Sequence, residues 1–287
     1  MRVALDVRQI TSTSGPNKYN YYCKKEYLSQ PMVIGGNVMN LIVYADFSCP
    51  DCYLTSRRAD ALATAGVPID WRAVEHAPQL ATTGARHSAA DQQALTERFA
   101  ALDALLLPGE SLPWTEPAVV PKTEAAVSAY AEAYGAGVAD DVRRLLFQLY
   151  WLGGADIGNP NVLRAPLAGP ILRSHSSAGP LHESGYAVSV DRGPITTDAY
   201  RRIRSWRTEW QELGSPALPI VLTAGATLSG TDALRRLGKE IGYVDAQVDP
   251  QLDDPRRYPS ISDRPSASWV SQIGGRWRNT YRLTGAH

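Results

Sequence analysis

Leu41-Ile42-Val43-Tyr44-Ala45-Asp46-Phe47-Ser48-Cys49-Pro50-Asp51-Cys52 is the stretch on which the fold turns. From Leu41 to Phe47 it is apolar on both faces apart from Asp46, the pattern of a central strand covered by helices on each side. Pro50 needs no backbone N–H and suits a first helical turn, so strand is expected to give way to helix at the two thiols. That helix continues from Tyr53 to Ala65 and stops at Gly66. Val67 to Val74 reads as a second strand. Strand, helix, strand predicts a right-handed parallel βαβ unit with the cysteines at its C-terminal strand edge, where α/β folds place reactive groups.

Downstream, from about residue 85 to 182, the periodicity becomes helical. Leu95, Phe99, Leu102 and Leu106 share one face, as do Val127, Tyr130, Ala131 and Tyr134, and then Val142, Leu145, Leu146 and Leu149. This span reads as an all-α insertion, with the proline-rich Leu107 to Lys122 separating its first two helices and Gly153-Gly154 ending the third. After a loop around Ser174 to Gly185, Tyr186 to Val190 reads as a short strand or turn. Tyr200, Ile203, Trp206, Trp210 and Leu213 then mark a helix that Gly214 stops. Pro219-Ile220-Val221-Leu222 is a short strand, Ala224-Gly225 a hairpin turn, and Thr227-Leu228 its return. A last helix is expected from about Asp232 to Ile241, with Leu234, Leu237 and Ile241 inward. The predicted organisation is a poorly structured leader at 1–38, a core domain from 39–84 and 183–245, the insertion at 85–182, and an irregular extension at 246–287. Gly35-Gly36 precedes Met39, where the folded domain is expected to begin. Trp269 and Trp277 suggest that part of the tail packs or pairs as a hairpin.

The chain has 287 residues, enough for one large core or a core with an inserted subdomain. Lys+Arg and Asp+Glu are both 29, and no long like-charge run points to nucleic acid or an anionic membrane. A protein or small-molecule substrate is expected instead. No apolar run approaches the roughly 20 residues that span a bilayer, and the first thirty residues lack a secretory pattern. Three cysteines do not make the disulfide framework of a secreted scaffold. These features together place the protein in the cytoplasm; oligomeric state is open.

Two thiols three positions apart at a strand-to-helix junction suit reversible dithiol/disulfide chemistry. A thiol reacts as its thiolate, and a helix N-terminus favours that form by placing partial positive charge and free N–H groups beside the sulfur. Cys49 would sit at that end as the more exposed attacking nucleophile, with Cys52 one turn inside resolving the mixed disulfide. Asp51 brings a negative charge that should oppose the thiolate and bias the pair toward reduction. A structural disulfide is disfavoured by the apparent compartment. A zinc site lacks ligands: only Cys23 remains, there is no second C-x-x-C, and His76, His87, His175, His182 and His287 show no H-x-x-x-H spacing. Cys23 reads as an incidental thiol, with a third redox role as the sharper alternative. Asp46 could relay a proton, although a strand-end acid is more often solvated or capping. Glu75 and His76 lie on the same expected sheet edge, His76 as a proton donor or as a hydrogen-bonded loop residue.

Strand, CPxC, helix, strand, helical insertion and returning strand resemble the DsbA-like branch of the thioredoxin superfamily, particularly its FrnE-like and 2-hydroxychromene-2-carboxylate isomerase-like members. The resemblance rests on Tyr44 to Cys52, on Pro121-Lys122-Thr123-Glu124-Ala125-Ala126 with Tyr130-Ala131, and on Leu146 to Trp151 with Gly154 to Ile157 and Val162-Leu163. It covers about Leu41 to Ile241. It implies an α/β thioredoxin fold with an all-α insertion domain and a cis-proline opposite the dithiol. Leu218-Pro219 occupies that place, with Pro216 close by. The implied role of Leu218 and Pro219 is to present backbone to a substrate strand and to keep competing N–H donors and metal from the dithiol. Pro50 and Asp51 tune the pair. Val43 stands six before the first cysteine, where related enzymes often hold a buried acid. Isomerase and kappa-class glutathione transferase relatives usually carry Ser in place of the first cysteine, whereas Cys49 is present.

The leading expectation is therefore a DsbA-like protein disulfide oxidoreductase, carried by Cys49 and Cys52. It needs no resident cofactor or metal and has glutathione as a conceivable co-substrate. A glutathione-dependent isomerase or transferase would use only Cys49 and tolerate loss of Cys52. A non-catalytic peptide-binding or chaperone module would keep the fold and use the insertion as a groove.

Overall fold

Burial dictates the middle of the sheet. Leu41, Val43, Tyr44 and Ala45 are all buried, so strand β3 (Leu41–Ala45) is covered on both faces. In this computed structural model, which describes residues 33–34, 37–38, 41–112, 117–174 and 188–244, β3 lies inside a four-stranded mixed sheet. It pairs in parallel with β4 (Ile69–Ala73), Leu41 opposite Ile69 and Ala45 opposite Ala73. On its other side it pairs antiparallel with β7 (Ile220–Thr223), which turns through a hairpin into β8 (Ala226–Ser229). The order β4-β3-β7-β8 brings the C-terminal end of β3 beside the start of β7, because antiparallel pairing sets Tyr44 opposite Ile220. Residues 176 positions or more apart in sequence thus meet at one sheet edge only after the sheet has formed.

Between β3 and β4 runs α1 (Pro50–Thr64). Its end shows why Gly66 is there: Gly66 N–H bonds the Ala63 carbonyl at 3.0 Å and Val67 N–H the Leu62 carbonyl at 2.9 Å, with Gly66 at φ +83°. That double closure needs a left-handed residue, which glycine adopts without a Cβ clash. Val67 is consumed by this cap, so β4 starts two residues later than the sequence pattern suggests.

The insertion holds α2 (Ala89–Asp103), α3 (Glu124–Ala136), α4 (Ala139–Trp151) and α5 (Pro160–Leu172). It is helical as expected, apart from one short ladder. β5 (Ala85–Arg86) pairs antiparallel with β6 (Val119–Val120), and no periodicity reveals a two-residue ladder whose halves lie so far apart. Gly84 makes room for it, since a Cβ there would meet the Val120 carbonyl oxygen at 2.6 Å. α5 was hidden by Pro166 and Pro170, each of which removes an intrahelical donor. Asn159 caps it, Pro160 starts it, and the four-residue spacing of buried Leu163, Leu167 and Ile171 supplies the packing that overrides the prolines.

The insertion returns through a turn at Ser189–Gly193 and α6 (Thr197–Glu212), then β7, β8 and α7 (Gly230–Val244). α1 packs on α7, and α3 packs on α4, α5 and α6. Arg58 of α1 is buried at the first of these contacts, donating to the Leu234 carbonyl at 2.7 Å and gripping Glu110. Within the expected leader, β1 (Val33–Ile34) and β2 (Asn37–Val38) form an antiparallel pair. Cys23, most of the loop at 174–185, and the tail with Trp269 and Trp277 lie outside the described residues. Among the described residues no helix is long and apolar enough to cross a membrane.

Candidate active site

The two thiols occupy unequal environments because of where the helix begins. Cys49 is the N-cap of α1: its backbone is extended (φ −92°, ψ 122°), and its sulfur accepts the Cys52 backbone N–H at 3.3 Å. The sulfur thus takes the place that a Ser or Asp oxygen fills at an ordinary N-cap, satisfying one of the helix's free donors. Pro50 follows as the first helical residue. Cys49 remains partly exposed and Cys52 is wholly buried; neither is in a disulfide. Burial, with the Cys49 sulfur beside it, pushes the Cys52 thiol well above the usual range.

Opposite the cap stands the segment before β7. The Cys49 sulfur lies 3.9 Å from the Leu218 carbonyl oxygen, and the Leu218–Pro219 peptide is cis. Of the two prolines named from the sequence, Pro219 is the one in this position. It offers no N–H toward the sulfur, so the backbone facing Cys49 presents an acceptor and not a competing donor.

Behind the pair sits Asp46, for which the sequence suggests either a proton relay or a solvated or capping strand-end acid. It is fully buried and not solvated. One carboxylate oxygen accepts the Ser48 N–H at 3.0 Å and the Ser48 hydroxyl at 3.2 Å. The other accepts the His76 N–H at 2.9 Å, His76 Nδ1 at 2.6 Å and the Thr123 hydroxyl at 2.9 Å. Since a carboxylate only accepts, Nδ1 carries the proton in this pair. Burial opposes ionisation of Asp46, but the hydrogen bond and charge of His76 and the Ser48 N–H hold its carboxyl below the usual range. Reciprocally, burial would lower His76, and Asp46 more than reverses this and raises it. Thr123 precedes α3 and makes no side-chain cap there; its hydroxyl is spent on Asp46. Glu75 lies in the same strand-end segment with its carboxyl raised by burial.

Asp51 differs from its sequence reading in one respect that matters electrostatically. It is buried, and Arg98 of α2 binds both its oxygens, Nε at 2.7 Å, with the same guanidinium reaching the Thr231 hydroxyl at 3.2 Å. The carboxylate expected to press on the thiolate is thus offset by a guanidinium. Trp151 at the end of α4 donates its indole N–H to the Phe47 carbonyl at 3.0 Å, and the Phe47 ring rests 5.1 Å from that of Phe147. Arg98, Thr123 and Trp151, three residues of the insertion, therefore grip Asp51, Asp46 and Phe47 around the dithiol. None was singled out as a site residue from sequence, because separations of 47 to 104 positions carry no local pattern. Among the described residues no group of three or more His, Cys, Asp or Glu side chains is arranged to hold a metal.

Residues 40–168 match the family model of the DSBA-like thioredoxin domain. No protein of the curated set matches the sequence. Among solved structures, a probable DsbA oxidoreductase from Streptomyces coelicolor superposes at TM-score 0.54 with 18% identity, covering 74% of this chain and 92% of its own. A 2-hydroxychromene-2-carboxylate isomerase superposes at TM-score 0.52, also with 18% identity, covering 72% of this chain and 97% of its own. Likeness at that identity speaks for the fold, and an oxidoreductase and an isomerase share it. The mixed sheet, the helical insertion and the family match over residues 40–168 agree on a DsbA-like thioredoxin fold.

Proposed function

We propose that this protein is a thiol–disulfide oxidoreductase in which Cys49 attacks and Cys52 resolves. The observation that carries the reading is the asymmetry of the pair: a partly exposed sulfur at the helix N-cap, and a second, fully buried one a helical turn inside, joined by the Cys52 N–H to Cys49 sulfur bond. Cys49, as thiolate, attacks one sulfur of a substrate disulfide; a mixed disulfide forms and the first substrate thiol leaves with a proton. Cys52 then gives up its proton and attacks the Cys49 sulfur. The enzyme disulfide forms, the mixed disulfide breaks, and the second substrate thiolate leaves and is protonated. Two electrons pass from the dithiol to the substrate, and the reverse order oxidises a dithiol.

The Leu218 carbonyl, facing Cys49, and the donorless Pro219 provide an edge against which an extended substrate backbone can lie. Substrates are protein or small-molecule disulfides, with neither nucleic acid nor membrane required. The cycle needs no resident cofactor, and a small thiol such as glutathione serves as co-substrate. Sparse cysteine usage supports action in the cytoplasm. Turnover of insulin disulfides with dithiothreitol tests the proposal. Cys49→Ser and Cys52→Ser should each abolish it. Full glutathione-dependent turnover by Cys52→Ser would overturn it in favour of single-thiol chemistry, and inactivity of the parent would favour a binding module.

A further inference from the structure

The cycle proposed above leaves one step without a carrier of charge. Cys52 must ionise to resolve the mixed disulfide, yet it is buried, and the charge of the buried Asp46, three residues before Cys49, opposes its thiolate. The Asp46 backbone and charge both act on its thiol, and the Asp46 carbonyl accepts the Cys49 N–H at 3.3 Å. A second negative charge next to Asp46 is costly unless Asp46 is compensated. Of the described groups hydrogen-bonded to the carboxylate, Ser48, Thr123 and the His76 N–H are neutral; among them only the His76 imidazole can carry a positive charge. It does so from a position that communicates with water, because Nδ1 is fixed on Asp46 while the side chain is 41% exposed.

We propose that His76 is the charge-compensating residue of the dithiol: its imidazolium neutralises Asp46 and thereby sets how readily Cys52 becomes the resolving thiolate, coupling exchange to pH near neutrality. His76 acts through Asp46 and is a positioning residue. The inference rests on the dithiol reading. In the resolving step the Cys52 proton passes to solvent, the Cys52–Cys49 bond forms, and the bond from Cys49 to the substrate sulfur breaks. The departing thiolate takes up a proton, and His76 keeps its own proton throughout. Deprotonation of His76 leaves Asp46 bare and raises the cost of the Cys52 thiolate.

Other charged groups around the pair are accounted for. Glu75 adjoins His76 and favours its charged form, while Lys122 and Glu124 flank Glu75 from the start of α3 and Arg207 faces Glu75 from α6. Tyr150 of α4 senses the Asp46 charge but ionises far above neutrality. The Cys49 N–H bonds the Asp46 carbonyl, and the Asp46 charge acts on the Cys52 thiol of α1. Among the described residues none of these groups supplies a second hydrogen-bonded cation to Asp46.

Stopped-flow reaction of the reduced protein with 5,5′-dithiobis(2-nitrobenzoate) separates the steps: a first release of thionitrobenzoate reports attack by Cys49, and a second reports resolution by Cys52. For the parent between pH 5.5 and 9, the logarithm of the second rate should rise with pH and flatten as His76 loses its proton. His76→Asn keeps an N–H donor for Asp46 without charge. It should slow the second phase about threefold at pH 5.5, a smaller thiolate fraction being partly offset by greater intrinsic nucleophilicity. Its profile should be unbroken, and its rate should converge on the parent's at pH 9. His76→Lys, cationic throughout, should match the parent at pH 5.5 and exceed it about threefold at pH 9. An His76→Asn profile that keeps the parent's break, or a uniform slowing of both phases at every pH, overturns the inference. So does a His76→Lys variant that behaves as His76→Asn. A parent that releases no second thionitrobenzoate at any pH would instead overturn the dithiol reading itself.

Discussion

Arg98→Ala removes the guanidinium that binds the Asp51 carboxylate and leaves the acid at the second position of α1, inside the protein. The Asp51 side chain is 6% exposed and that of Arg98 is 34% exposed, so the pair is neither a surface bridge nor a fully buried one. Breaking a buried pair costs about 3–5 kcal/mol because one charge is left uncompensated, and an exposed pair is worth roughly 0–1 kcal/mol. With one ion buried and its counter-ion a third in water, the loss should be about 2 kcal/mol. Urea unfolding of the reduced protein measures it. Asp51→Asn with Arg98→Ala should regain at least half, because the amide needs no counter-charge. The same substitution should act on the dithiol. Asp51, no longer offset, opposes negative charge at the neighbouring N-cap sulfur, which disfavours the reduced form and shifts the potential on the order of 10–30 mV more negative. Equilibration against glutathione reads this. A double variant as unstable as Arg98→Ala alone, or a potential that moves upward, would refute the electrostatic account of this pair.

Stability should depend on pH through Asp46 and His76. The Asp46 carboxyl is lowered from 3.8, so its contribution is present above that value and is lost as pH falls through the depressed one. His76 is raised from 6.5, so its contribution is complete below that value and is lost as pH rises through the raised one. The pair therefore stabilises most between 3.8 and 6.5, and urea unfolding of His76→Asn should differ from the parent more at pH 5.5 than at pH 9. Trp151→Phe leaves the Phe47 carbonyl without its indole donor in a buried site, which should cost about 1–3 kcal/mol in the same assay.

Local chemistry explains what could be read before the fold was known. β3, the start of α1 at Pro50, the stop at Gly66 and the β7–β8 hairpin at Ala224-Gly225 are each written in a few adjacent residues. So is the place of both thiols, since a helix that starts at Pro50 makes Cys49 its cap. What stayed hidden depends on pairing across the chain. Asp46 looks like a solvated acid until Thr123 and His76 close over it. Asp51 looks like a charge pressing on the thiolate until Arg98 arrives from α2. β5 and β6 are too short to carry a period, and α5 contains prolines that argue against a helix until Leu163, Leu167 and Ile171 are buried together.

The central claim is that Cys49 is the attacking sulfur and Cys52 the resolving one. Trapping tests it directly: Cys52→Ser incubated with a disulfide-bonded peptide should accumulate a stable mixed disulfide, which peptide mass mapping should place on Cys49, while Cys49→Ser should trap none. An adduct on Cys52 in the Cys49→Ser protein, or no adduct in Cys52→Ser, would contradict the account.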